Sequence, residues 1–114
     1  MFKKINEAPK KIPYLPTGEK VEGVLYQTLA AGSEMMITTM IYEKDAQVPA
    51  HAHPEEQAGF VVSGRIELSI GNDVMILSPM DSYVVPGGVL HSAKSLEDSL
   101  VIDVFSPPRE DYKD

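Results

Sequence analysis

The sequence predicts an all-β domain, a small sandwich or barrel, on three observations. The chain of 114 residues breaks into nine short apolar runs separated by turn signals, the spacing of a sandwich or barrel. No run keeps a helical period beyond two turns, which leaves the period of two as the dominant pattern. With 43% hydrophobic and 24% charged residues the composition is globular rather than disordered, and the length allows one domain.

Residues 1–20 carry Pro9, Pro13 and Pro16. Each removes a backbone donor and disfavours helix before it, so this lead-in reads as an extended arm of the same domain and residues 21–114 as the barrel. Val21–Leu29 and Met35–Glu43 are the first strands, parted by Ala31-Gly32-Ser33. Ala50–His53 and Gln57–Val62 come next. Arg65–Ile70 alternates strictly, which puts Ile66, Leu68 and Ile70 on the core face. Gly71-Asn72 is a two-residue hairpin turn into Asp73–Leu77. Pro79-Met80-Asp81 leads into Ser82–Val85, and Pro86-Gly87-Gly88 into His91–Ala93. Leu100–Phe105 is the last strand, with Asp103 and Phe105 on one face and Ile102 and Val104 on the other.

Charge and cysteine usage exclude several function classes. Residues 1–20 hold five lysines and two glutamates, whereas residues 21–114 hold five basic and fifteen acidic side chains. An acidic body without a basic stripe is a poor partner for nucleic acid. The absence of cysteine rules out disulfides, a thiolate zinc site and a cysteine nucleophile. No apolar run is long enough to span a membrane, and Met1–Lys11 lacks the apolar core of a secretory signal. The expectation is a soluble, cytoplasmic protein. Open sandwich edges need covering, so a homodimer is expected, with the arm able to cross to a partner.

The residues with chemistry to offer cluster in two places. Two of the three histidines form His51-Ala52-His53, and on a strand residues i and i+2 share a face. The third, His91, closes the run Pro86-Gly87-Gly88-Val89-Leu90-His91. At the C-terminus, Pro107-Pro108 forces a stiff exit that could bring Arg109 back over the barrel mouth. There the guanidinium is shaped to grip a carboxylate, or else it pairs with an aspartate to cap the strand end.

These blocks resemble the two motifs of the cupin superfamily, G-x5-H-x-H-x3,4-E-x6-G and G-x5-P-x-G-x2-H-x3-N. His51, His53 and Gly64 match the first, and Pro86, Gly88 and His91 the second. The chain departs at Asp45 and Met80, where the family has glycine, at Gln57, where it has glutamate, and at Ser95, where it has asparagine. The resemblance implies a double-stranded β-helix, the cupin jelly-roll barrel, holding one divalent ion, Zn, Ni, Mn, Fe or Cu. The H-x-H-P-x-E-Q run and the ending D-V-F-S-P-P-R-E-D-Y are similar to the pectin-degradation cupins, which linearise 4,5-unsaturated uronates. That resemblance implies His51, His53, Gln57 and His91 as metal ligands and Asp103, Phe105 and Arg109 as substrate-pocket residues.

A glutamine ligand brings no negative charge, so the ion keeps its full charge and polarises a substrate oxygen more strongly. This favours Lewis-acid chemistry on an anionic sugar over an iron oxygenase built on two histidines and a carboxylate. A register shift that made Glu56 the ligand would reverse the argument. The implied reaction is metal-dependent ring opening of an unsaturated uronate, with Asp103 moving the protons, Phe105 packing on the sugar and Arg109 neutralising its carboxylate. The alternatives are a metal-dependent dioxygenase or lyase using the same histidines, and a sugar- or metal-binding module without catalysis.

Overall fold

A computed structural model describes residues 1–114 and divides the strands between two antiparallel sheets. The strands are β1 Val24–Ala31, β2 Met36–Tyr42, β3 Gln47–His51, β4 Glu56–Ser63, β5 Ile66–Ile70, β6 Asp73–Leu77, β7 Ser82–Val85, β8 His91–Ser95 and β9 Ser99–Ser106. One sheet has five strands in the order β1-β2-β9-β4-β7, the other four in the order β3-β8-β5-β6. This is the all-β jelly roll that the motifs imply. No helix is long and apolar enough to cross a membrane.

Alternation decides what lies between the sheets. Along β9, Ser99, Val101, Asp103 and Phe105 are buried and the residues between them are half-buried. Their partners extend the inner face sideways, Met36 and Gln57 flanking Phe105, and Met40 and Val61 flanking Val101. Ile66 and Leu68 of β5 face them from the other sheet as part of one apolar core. Each such side chain contributes about 1.5–3 kcal/mol by leaving water. The hairpin at Gly71-Asn72 forms as expected, with Ile70 opposite Asp73 and Gly71 at φ +57°.

One expectation is corrected. Ala50–His53 is not a strand carrying both histidines, because β3 ends at His51 and His53 lies beyond it. Pro54 lacks the N–H that a ladder needs, and β3 already slips its register between Val48 and His51. The arm, meanwhile, lies on its own barrel. Lys11 and Tyr26 exchange two backbone hydrogen bonds of 2.8 Å, which covers the open edge of β1. Gln27 Nε2 donates to the Ala8 carbonyl at 2.9 Å, and Asp114 receives Lys3 and Lys11 at 3.2 and 2.7 Å.

The departures from the motif glycines have a backbone meaning. Gly64 sits at φ +87°, and a Cβ there would stand 2.1 Å from Ser99 Oγ. Asp45 and Met80 occupy equally left-handed positions, at φ +70° and +79°. A non-glycine residue there costs roughly 1–2 kcal/mol, and aspartate tolerates it better than methionine. The Met80 side chain is 76% exposed, so it recovers little through burial. Met80→Gly is therefore expected to stabilise the fold by about 0.5–1 kcal/mol, after the added freedom of the unfolded glycine chain is subtracted. Urea unfolding should show a higher midpoint at unchanged slope. A lower midpoint would mean that the Met80 side chain is stabilising.

Candidate metal centre and cavity

His51 and His91 are directly opposed across β3 and β8, so strand pairing alone brings their rings to 4.3 Å. His53 reaches them from the loop, its ring 4.9 Å from that of His91. One nitrogen from each ring lies within 4.8 Å of the others. The three Nδ1 atoms are each tied to a main-chain carbonyl, of Pro49 at 2.9 Å, Glu55 at 3.0 Å and Val89 at 2.9 Å. A carbonyl only accepts, so each Nδ1 carries the hydrogen and the neutral ring keeps its lone pair on Nε2. Burial pushes His91 down to about 4 and lowers His51 as well, which keeps both rings neutral at physiological pH.

His91 Nε2 is buried without a hydrogen-bond partner, a costly arrangement for a lone polar atom. Gln57, buried on β4, places its amide oxygen 3.1 Å from His53 Nε2. Two lone-pair carriers at that separation do not satisfy one another. Two donors sharing an ion at ~2.1 Å stand about that far apart. Glu56 is exposed on the opposite face of β4, so its carboxylate is directed away. These three histidines are thus a donor set that fits a divalent metal, with Gln57 beside it.

The same cavity is lined by His51, Gln57, His91, Asp103, Phe105 and Arg109. Asp103 is only 1% exposed. Burial pushes its carboxyl up to about 6, opposed by the Tyr83 hydroxyl, the Gln57 amide and Arg109. Phe105 meets His53 edge to face at 5.8 Å. Arg109 lies over the Tyr112 ring at 4.0 Å and the Phe105 ring at 5.2 Å. Its Nε and one terminal nitrogen donate to Asp111 at 3.1 and 2.7 Å. An aspartate does clamp Arg109, but it is Asp111 rather than Asp103, and the other edge of the guanidinium stays free.

Four of the five tyrosines line this cavity, Tyr14 from the arm, Tyr42, Tyr83 and Tyr112, and sequence reading passed over all of them. Tyr112 also stacks on Tyr26 at 4.1 Å, which anchors the C-terminal turn. For Tyr83 a signal existed, because Ser82–Val85 alternates and places Tyr83 on the same face as the buried Val85. Tyr112 closes the C-terminal run D-V-F-S-P-P-R-E-D-Y without having been given a role, and nothing local marks Tyr14.

Fold and site together define a small β-barrel protein with a three-histidine cluster beside an aromatic-lined cavity. The chain belongs to the Cupin domain family, whose profile covers residues 38–105. It is 29% identical over 99 residues to the pectin degradation protein KdgF of Dickeya dadantii (strain 3937), covering 85% of this chain and 90% of that one. It is also similar to the solved structure of KdgF from Halomonas sp., with a TM-score of 0.85, 31% identity and coverage of 99% and 98% of the two chains. An H2HPP isomerase of Bacillus subtilis shares 29% identity over 96 residues, 80% of this chain and 40% of that protein.

Proposed function

We propose that this cupin is a divalent-metal isomerase that opens 4,5-unsaturated uronate monosaccharides to linear keto-uronates. The observation that carries the reading is the convergence of His51, His91 and Gln57 with Asp103 and Arg109 on one cavity, with His53 completing the histidine cluster beside it. The likeness to the KdgF proteins and to an isomerase supports both the substrate class and a reaction without redox change.

His51, His53, His91 and the Gln57 carbonyl would hold the ion. When bound, it supplies Lewis acidity toward the substrate's carboxylate and ring oxygens. The free edge of Arg109 pairs with the sugar carboxylate, and Phe105 packs against the ring face. In the reaction the C1–ring oxygen bond breaks as the C1 hydroxyl loses its proton and the ring oxygen gains one, giving an aldehyde at C1 and an enol at C5. The enol then loses its hydroxyl proton and C4 gains one, so atoms and charge balance with no cofactor. Asp103 would carry that proton, and its buried position with a carboxyl near 6, able to exchange it in both directions at neutral pH, supports that role.

Freshly generated unsaturated galacturonate tests the reading. Loss of its ultraviolet absorbance should accelerate with metal-loaded protein, without oxygen uptake. No acceleration over a protein-free control with the same metal would reject it. Purified protein should carry about one divalent ion per chain, and His91→Ala should lose most of it while staying folded, since only two imidazoles and a neutral amide oxygen, a weaker donor, would remain. Equal metal content in parent and His91→Ala would remove His91 from the ligand set.

A further inference from the structure

Asp103 moves protons only if its carboxylate is held in one orientation, and one lateral row of the larger sheet supplies the means. Thr38, Asp103, Gly59 and Tyr83 are successive partners across β2, β9, β4 and β7. Tyr83 thus stands two strands from Asp103, ~10 Å by strand spacing, too far for ordinary neighbours to meet. Gly59 lies between them with no side chain. A Cβ there would fall 2.0 Å from Tyr83 Cζ and 2.3 Å from its hydroxyl. The backbone of Gly59 is not left-handed, so space and not conformation demands glycine. The ring lies in that notch, and its hydroxyl donates to Asp103 Oδ1 at 2.5 Å.

We infer that Tyr83, laid in the Gly59 notch, is a positioning residue that holds Oδ1 of Asp103 and leaves Oδ2 to the cavity. An aspartate carboxylate turns over a broad torsional well when nothing holds it. The Gln57 amide also acts on this carboxyl, but the short Tyr83 bond is the contact that fixes one oxygen, and a misplaced proton carrier loses rate even though the substrate still binds. The inference rests on the uronate reading only for what the presented oxygen does.

Tyr83→Phe keeps the ring in the notch and removes the hydroxyl alone. Crystal structures of parent and variant in one crystal form read the Asp103 carboxylate directly, without substrate. One orientation is expected in the parent and a rotated or split one in the variant. In turnover of the uronate, kcat should fall about 10- to 100-fold with KM moving less than about threefold and metal content unchanged. In an Asp103→Asn background the same substitution should change kcat by less than about twofold, because its effect passes through the lost carboxylate. An unrotated carboxylate, or a loss that multiplies fully in the Asp103→Asn background, would overturn the inference. If the parent does not turn over the uronate, the functional reading fails while the carboxylate's orientation still decides the role of Tyr83.

Discussion

Replacing Asp103 by Asn should lower turnover of the unsaturated uronate by about two to four orders of magnitude, and in the same protein it should raise stability. The first effect follows from losing the proton carrier at constant shape. The second follows from burial. The Asp103 carboxyl rises from 3.8 to about 6 in the folded protein, so the folded state binds its proton more tightly than the unfolded chain does. For such a group, stability is highest below about pH 4 and declines as pH rises toward about 6. Above that the ionised carboxylate costs about 3 kcal/mol. Its 1% exposure leaves little solvent to soften that cost. Asn carries no charge and still accepts from Tyr83. In metal-free protein, Asp103→Asn should therefore melt several degrees higher at pH 8 and close to the parent at pH 4. Equal melting at pH 8 would mean that the ionised carboxylate is already compensated, and retained turnover would remove Asp103 from the chemistry.

On the proposed reading, that trade accounts for the aspartate between Val101 and Phe105 on the buried face of β9. Alternation was legible there because it is a property of one strand. Leu100–Phe105 read correctly for that reason, as did Ile66 and Leu68 of Arg65–Ile70, whereas Ile70 at the strand end is only half-buried. The histidines were legible through motif spacing, although the stated geometry was wrong for His53. Strand pairing supplies His51 and His91, whereas a proline-terminated loop supplies His53. The roles of the tyrosines were not legible, even where alternation marked the inward face of Tyr83. Gly59 matters because Tyr83 and Asp103, distant in sequence, both pair with it, and register between distant strands leaves no local mark. Asp45 and Met80 lie between these cases. Their departure from glycine was visible, but only the backbone shows that the left-handed turn persists and burdens the chain.

Arg109 offers the second large effect. Arg109→Lys keeps a positive charge and loses both the fork and the flat face. The fork now divides its work, one edge bound to Asp111 and the other free. Charge-assisted bonds to a buried partner contribute about 1.5–3 kcal/mol each, so KM for the uronate should rise about 10- to 100-fold. The proton-transfer step does not use the guanidinium, so kcat should change less than about threefold. The competing account makes Arg109 a strut for the C-terminal turn, through Asp111 and its stack on Tyr112. Asp111→Asn separates the two, because it breaks the ion pair and leaves the guanidinium in place. Asp111 is largely exposed, and an exposed pair contributes about 0–1 kcal/mol, so this variant should melt within a few degrees of the parent and bind substrate nearly as well. If Asp111→Asn instead loses stability and affinity in the same proportion as Arg109→Lys, the tail's architecture carries the effect and Arg109 does not contact the substrate. If Arg109→Lys raises KM while Asp111→Asn leaves both unchanged, the free edge of the guanidinium is the carboxylate site.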